Sequence, residues 1–133
     1  MKIGIVTTAY ALAAATDQMI ETALRDAKHE REMHLFLHSG HGMVRSTCEH
    51  WAKHEAVVYY PYGTNRGLAR SWNEGMLAAY TNGCDVVLIV NDDIVFSEGD
   101  VDQLAEYAVN HRENFIVTCR GWNHSLGKDD SIG

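Results

Sequence analysis

The sequence predicts an α/β protein with a doubly wound, mostly parallel, Rossmann-like sheet. Short, continuous apolar runs rich in β-branched residues alternate with amphipathic segments of helical period, in the order βαβαβαβαβ. Continuous apolar strands are typical of parallel sheets covered on both faces, and right-handed crossovers wind such a chain onto both sides of its sheet. With 133 residues, of which 46% are hydrophobic, the chain is expected to form a single domain over residues 1–133.

The first half of the chain supplies three of the five predicted strands and two of the four predicted helices. Thr16 or Asp17 is expected to cap the first helix, which continues to about residue 30. A glycine-containing turn over residues 39–42 precedes the second helix. The three strands are residues 3–8, 33–38 and 57–60. The inward helix faces are Ile20, Ala23, Leu24 and Ala27, then Val44, Cys48, Trp51 and Ala52.

The second half supplies two further helices and two further strands. Asn65 is expected to cap the third helix, which ends at residues 82–83. Asp100 and Gln103 match a capping box for the fourth helix. The strands are residues 86–90 and 115–119, and residues 120–133 show no clear period. The inward faces are Leu68, Trp72, Met76, Ala79 and Tyr80, then Val101, Leu104, Ala105 and Ala108.

Charge and composition exclude several classes of function. A formal charge of −7 argues against non-specific nucleic-acid binding, which needs a basic surface. The three cysteines are far apart and form no CxxC pair, so neither a disulfide framework nor a zinc ribbon is indicated. The N-terminus opens into a strand without a signal-peptide pattern, and no apolar run approaches the roughly 20 residues of a membrane helix. We therefore expect a cytoplasmic protein without a membrane span.

The predicted topology places a ligand beyond the carboxyl ends of the strands, where strand order reverses. The segments at that edge are residues 7–10, 38–41, 61–65 and 91–93. The turn after the first strand contains no glycine, so it lacks the GxGxxG of dinucleotide sites, and the chain has no P-loop. NAD and ATP sites of the familiar kinds are not expected.

Two adjacent carboxylates, Asp92 and Asp93, follow the fourth strand. Two adjacent carboxylates repel each other, and both lose hydrating water if they lie in a crevice. A hard divalent cation, Mg²⁺ or Mn²⁺, offsets this unfavourable free energy. Because side chains alternate along a strand, one Asp is expected to reach the metal while the other contacts a ribose or a backbone amide. The alternative is a solvated turn in which Asn and Asp are simply turn formers.

The start of the third helix adds polar groups to the same edge. Gly67 and Ala69 are small enough to let a ligand approach, and Arg70 and Asn73 lie about one helical turn apart. An arginine there would offset diphosphate charge, although a solvated helix charge is an equally good explanation of Arg70.

The pattern Asn65-x-Gly67-x-Ala69-x-x-x-Asn73-x-Gly75, followed by an apolar strand and Asn91-Asp92-Asp93-Ile94, resembles glycosyltransferase family 2 with its GT-A fold. Residues 3–10 are similar to that family's first strand and turn. The resemblance spans roughly residues 2–119.

The resemblance implies a metal-dependent, inverting transfer from a nucleotide-diphosphate sugar to an unknown acceptor, with a UDP-sugar as the first candidate donor. Asp93 would bind Mn²⁺ or Mg²⁺, and Asp92, the other acid of the DXD motif, would contact the ribose or sugar and share in the metal site. The remaining donor-binding residues implied are Thr7, Ala9, Tyr10, Asn65, Gly67, Arg70, Asn73 and Asn91.

Two departures from the family pattern leave other functions open. Residues 38–41 replace the acidic residue that usually holds the base, and only Asp129 and Asp130 follow the fifth strand as late carboxylates, so no catalytic base is assigned. The chain is therefore a truncated domain, a minimal enzyme or a non-catalytic nucleotide-sugar and metal-binding module. A nucleotidyltransferase is a third candidate, but such enzymes often carry a Gly- and Arg/Lys-rich loop after the first strand, and residues 9–12 do not supply one.

Eight histidines raise the question of a second metal site. His50 and His54 have the i, i+4 spacing of a zinc pair, but the segment is not HExxH and an exposed helix face explains it better. His34, His38 and His41 form a second candidate cluster, and His124 is a candidate for completing the metal shell.

Overall fold

The computed structural model describes residues 1–25, 27–114 and 116–118, together with the backbone of two short strands near the C-terminus. Four helices and four longer strands alternate along the chain. The strands are β1 Lys2–Ala9, β2 Glu30–Leu37, β3 Val57–Tyr60 and β4 Val86–Asn91. The helices are α1 Ala13–Leu24, α2 Gly42–Trp51, α3 Leu68–Thr81 and α4 Asp100–Asn110. The short strands are β5 Trp122–Asn123 and β6 Lys128–Asp129, which pair antiparallel.

The four longer strands form one parallel sheet in the order β3-β2-β1-β4. The chain moves outward from β1 to β3 and then crosses back, through α3, to place β4 on the other side of β1. Strand order therefore reverses between β1 and β4, and the crevice at their carboxyl ends is the expected ligand position. The predicted Rossmann-like α/β architecture is confirmed for these strands.

Alternation along β2 divides the side chains between two layers. Met33, Leu35 and Leu37 are fully buried in the apolar core with α1 and α2. The intervening His34 and Phe36 face the other layer, where Phe36 lies beside Gly75 of α3. The sheet is thus covered on both faces, as continuous apolar strands predict.

The buried face of α3 differs from the predicted one. Ala79 faces the sheet as predicted, but Ser71 and Gly75 lie there with it, whereas Leu68 and Tyr80 are exposed. A Cβ on Gly75 would lie 2.6 Å from Cγ1 of Val6, so the helix approaches β1 too closely for any larger side chain. Small residues create this close packing, and a pattern of large apolar residues does not reveal it.

The ends of α1 and β2 also differ from the prediction. The helix begins at Ala13, so Thr16 and Asp17 lie inside it rather than at its N-cap. It ends at Leu24, which leaves Ala27 exposed and outside the helix. The chain turns early because β2 starts at Glu30, where residues 30–32 extend the pairing with β1.

Helix α4 is joined to β2 by a buried ion pair. Nη1 of Arg31 lies 2.7 Å from Oδ1 of Asp102, and both side chains are almost fully buried. The Asp102 carboxylate also accepts hydrogen bonds from the backbone nitrogens of Lys28 and His29, at 3.0 and 3.2 Å. These contacts fix the turn before β2 against α4.

The N-terminus of α4 does not form the predicted capping box. Gly99 is the N-cap, at φ 82°, a left-handed conformation that favours glycine. Asp100 is the first helical residue, and its carboxylate accepts a hydrogen bond from the backbone nitrogen of Ser97 at 2.8 Å. Both the cap and the start of the helix are therefore one residue earlier than a capping box at Asp100 predicts.

The predicted fifth strand is wrong for residues 116–118, which have no regular structure, and residues 115 and 119 lie outside the described residues. Beside β4 lies a groove of about 570 Å³, lined mainly by apolar residues of α3, β4 and α4 and by residues 116–118. Most of β4 is consequently only partly buried. None of the helices that the structure describes is long and apolar enough to cross a membrane.

Candidate functional site

The candidate site lies at the carboxyl ends of β1 and β4. Asn91, the last residue of β4, pairs with Thr8 of β1, and Asp92 and Asp93 form the turn that follows. Asn91 and Asp93 are exposed, whereas Asp92 is half-buried. The two acids therefore stand at the point where strand order reverses, as predicted from the topology.

Asp92 is engaged by the loop between β1 and α1. Its Oδ2 accepts a hydrogen bond from the backbone nitrogen of Tyr10 at 3.1 Å and another from the Thr16 hydroxyl at 3.0 Å. The expectation that one acid of the pair contacts a backbone amide is confirmed. Thr16 was expected as a helix cap, and its contact with Asp92, 76 positions away, was not foreseen.

Asp93 has a different environment. It is exposed, so the expectation that both carboxylates lose water together is wrong for this residue. Within the described part of the chain Asp93 makes no hydrogen bond or ion pair, and no cluster of three His, Cys, Asp or Glu side chains could hold a metal. Two carboxylates still suit Mg²⁺ or Mn²⁺, since Mg²⁺ commonly binds one or two protein carboxylates and completes its shell with water and phosphate oxygens.

The three residues expected to line a nucleoside pocket differ in their exposure to solvent. Thr7 and Ala9 are fully buried, so in this conformation neither side chain reaches the crevice. Tyr10 is 55% exposed and is the accessible member of the three. The Ala9 carbonyl accepts a hydrogen bond from the backbone nitrogen of His38 at 2.9 Å, which joins the ends of β1 and β2.

The loop before α3 brings Asn65 and Gly67 to the same edge of the sheet. The side-chain oxygen of Asn65 accepts a hydrogen bond from the backbone nitrogen of Gly67 at 3.0 Å. Gly67, not Asn65, is the N-cap, and its φ of 89° requires glycine. Arg70 and Asn73 are exposed on the first turns of α3, and Arg70 has no ion pair among the residues described.

A polar network that the sequence did not reveal holds this loop. The Arg66 guanidinium donates to Glu74 through Nη2 and to the Ser71 hydroxyl through Nε, at 3.0 Å in the second case. The Tyr62 hydroxyl donates to the other oxygen of Glu74 at 2.7 Å. Burial alone would raise the pKa of Glu74, but the hydrogen bonds from Tyr62 and Arg66 keep it below its ordinary value.

His38 completes the network inside the protein. Its Nε2 lies 2.6 Å from the Ser71 hydroxyl, and both residues are buried. Burial, and then the nearby charge of Arg66, lower the pKa of His38. Because Ser71 accepts from Arg66, its own hydrogen is available to Nε2, which favours neutral His38. The His38 side chain is therefore enclosed.

Of the other candidate histidines, His34, His41 and His54 have local hydrogen-bond partners. Nδ1 of His34 lies 2.8 Å from the Tyr60 hydroxyl, and Nε2 lies 3.2 Å from Glu32, so this ring bridges β2 and β3. His41 caps α2 by accepting from the backbone nitrogen of Met43. His54 accepts from the backbone nitrogen of Ala56, and His50 is exposed. His124, the remaining candidate, lies outside the described residues.

The geometry agrees with a comparison with protein families. The model described as glycosyl transferase family 2 matches residues 41–129, which is 89 of the 133 residues. The matched segment contains the loop before α3, β4 and the acid pair. A comparison with curated proteins gave no match. Since the matched segment covers two thirds of a chain with a Rossmann-like parallel sheet, this protein belongs to glycosyl transferase family 2.

Proposed function

We propose that this protein transfers a sugar from a nucleotide-diphosphate sugar, with a UDP-sugar as the first candidate, to an acceptor whose identity is open. The observation that carries the proposal is the position of Asp92 and Asp93 at the reversal point between β1 and β4, in a chain of glycosyl transferase family 2. The reaction would be a single in-line displacement that inverts the anomeric carbon.

The proposed metal is Mn²⁺ or Mg²⁺, held by Asp93. Both hydrogen bonds to Asp92 fall on its Oδ2, so Asp92 offers a cation less than Asp93 does. When bound, the cation would act as a Lewis acid and stabilise the departing diphosphate. The exposure of Asp93 supports this assignment, because its oxygens are available without breaking contacts within the protein.

The neighbouring loops would supply the rest of the donor site. Tyr10 would contact the nucleoside, and Arg70 would offset charge on the diphosphate. Asn65, Gly67, Asn73 and Asn91 would bind the remaining polar groups of the donor. Activation of the acceptor hydroxyl requires a base, and the side chains of the late carboxylates Asp129 and Asp130 lie outside the described residues.

The alternative is a module that binds a nucleotide sugar without transferring it. The observation that favours it is that residues 116–118, part of the predicted fifth strand, have no regular structure, so β4 is the edge of the described parallel sheet. Both functions use the same metal and nucleotide, so a binding measurement tests what they share.

Thermal unfolding should be measured with UDP, GDP, CDP and dTDP, each with and without Mn²⁺. A ligand that binds the folded state at 100 times its Kd stabilises by about 2.7 kcal/mol, so one nucleotide should raise the Tm. The rise should be larger with Mn²⁺, and Asp93→Ala should remove the metal-dependent part. If no nucleotide stabilises the protein under any condition, the proposal is wrong.

A second assay separates the enzyme from the binding module. Release of nucleoside diphosphate from the donor sugar should be followed with a panel of hydroxyl-bearing acceptors. Acceptor-dependent release that Asp93→Ala abolishes supports transfer. Tight binding without release, across the panel, supports the module.

A further inference from the structure

We infer that Asp92 is a positioning residue that holds the nucleoside-binding loop in place, while metal binding falls to Asp93. This inference rests on the proposed function and divides the acid pair into two different roles. We define the loop as residues 10–12, between β1 and α1.

The Asp92 carboxylate holds both sides of this loop. Oδ2 accepts from the backbone nitrogen of Tyr10, where the loop begins, and from Thr16, in the first turn of α1. Thr16 is fully buried, so its hydroxyl is fixed by packing and offers Asp92 a rigid partner. A backbone bond from Thr16 to the carbonyl of Leu12, at 3.0 Å, closes the other end of the loop.

Helix α1 lacks a local anion at its N-terminus. Its N-cap is Leu12, which makes no side-chain capping bond, and no acidic residue lies in its first turn. The partial positive charge of a helix N-terminus is stabilised by a nearby carboxylate. Asp92 supplies that carboxylate from the end of β4, so the loop and the helix depend on it together.

The two hydrogen bonds that Oδ2 of Asp92 accepts also limit how this carboxylate can bind a metal. A carboxylate oxygen that already accepts two hydrogen bonds has little remaining capacity for a cation, so only Oδ1 of Asp92 is available. Asp93 is exposed and makes no bond within the described residues. Asp92, in contrast, directly fixes the backbone of Tyr10, the exposed aromatic residue of the loop.

The test compares binding of a nucleoside with binding of its diphosphate. A nucleoside without phosphates has no need of the metal, so it reports on the loop alone. Affinities of uridine without metal, and of UDP with and without Mn²⁺, should be measured by calorimetry for the wild type and four variants. The variants are Asp92→Ala, Thr16→Val, Asp93→Ala and the control Asp17→Asn. If another diphosphate stabilises the wild type better, its nucleoside replaces uridine.

We expect Asp92→Ala to weaken nucleoside binding about tenfold or more, and Thr16→Val to weaken it severalfold. In both variants Mn²⁺ should improve diphosphate binding by the same factor as in the wild type. Asp93→Ala should leave nucleoside binding unchanged and remove the improvement that Mn²⁺ gives to diphosphate binding. Asp17 lies on the same helix, but its carboxylate accepts from the Trp51 side chain, so Asp17→Asn should change neither quantity. Thr16→Val keeps the side-chain shape and tests the contact if Asp92→Ala does not fold.

The inference is overturned if Asp92→Ala keeps nucleoside affinity and loses the Mn²⁺ effect, which would make Asp92 a metal ligand. It is also overturned if Thr16→Val matches the wild type. These results leave the proposed function standing, because the wild type still binds. If the wild type binds neither nucleoside nor diphosphate, the proposed function and the inference are both wrong.

Discussion

The guanidinium group of Arg66 lies over the ring of Tyr62, with 3.7 Å between its central carbon and the ring centroid. Both side chains also bond to Glu74 of α3. One carboxylate on the helix therefore fixes two side chains of the preceding loop, the loop that carries Asn65 and Gly67 to the candidate donor site.

Glu74→Gln is expected to loosen this loop. An amide replaces a charged acceptor, so the hydrogen bonds from Tyr62 and Arg66 weaken, at a cost of about 1 kcal/mol for partly exposed groups. The free energy of unfolding in urea should fall by that amount, and the affinity for nucleotide should fall with it. Glu55→Gln, on an exposed turn, is the control. Equal behaviour of the two variants would contradict the role given to Glu74.

His38 is expected to make stability depend on pH. Burial and the charge of Arg66 place its pKa below the ordinary 6.5, so the unfolded chain binds a proton more readily than the folded protein. The stability linked to neutral His38 is fully present above about pH 6.5 and is lost as pH falls below that value. Urea unfolding of the wild type between pH 7.5 and 5 should show this decline.

His38→Gln should flatten that decline, because glutamine has no proton to gain in this range. His50→Gln, at an exposed helix position, should leave the slope unchanged. A slope that survives His38→Gln would assign the pH dependence to another group.

The buried pair of Arg31 and Asp102 is expected to be the most sensitive charged contact. Removing one partner of a buried ion pair costs about 3–5 kcal/mol, so Asp102→Asn should destabilise the protein strongly. The hydrogen bond from Arg31, which outweighs the effect of burial, lowers the pKa of Asp102. Its stabilisation is thus present above the ordinary value of 3.8 and is lost as pH falls below it. Urea unfolding should show that Asp102→Asn lowers the free energy of unfolding more at pH 7 than at pH 3. Equal losses at the two pH values would contradict this role of Asp102.

Gly75→Ala is expected to force α3 away from the sheet. The added Cβ would lie 2.6 Å from Val6 and 3.0 Å from Phe36, and overpacking of this kind costs about 1–3 kcal/mol. Gly42→Ala is the matched control, because a Cβ there meets nothing within 4 Å. The Tm should fall for the first variant and stay or rise for the second. A fall of similar size in both would contradict the packing explanation, because alanine has the higher helix propensity and a Cβ at residue 42 meets no atoms.

The positions of the four longer strands and the sheet edge that holds the site could be predicted, because apolar runs that alternate with amphipathic helices indicate them locally. Residues 57–60 were predicted as a strand and form β3, and the apolar run before Asn91 forms β4. Residues 30–32 are not predicted as a strand because their side chains are polar. Their extended conformation depends on pairing with β1, which the local sequence does not show.

The contacts that shape the site could not be predicted, because they join distant residues or use small ones. Asp92 and Thr16 are 76 positions apart and meet only once β4 lies beside β1. Ala79 faces the sheet as predicted, but Ser71 and Gly75, which complete that surface of α3, give no apolar signal. The sequence indicates Arg70 rather than Arg66, since nothing local shows that Glu74 and Tyr62 converge on Arg66.

The most direct test of the proposed donor site is to locate bound Mn²⁺ by nuclear magnetic resonance. Mn²⁺ added to ¹⁵N-labelled protein with saturating nucleoside diphosphate broadens amide signals according to their distance from the ion. We expect the strongest broadening at residues 91–93, weaker broadening at Tyr10, and loss of the whole pattern in Asp93→Ala. Broadening centred on His50 and His54, or none that follows the acid pair, would contradict the account.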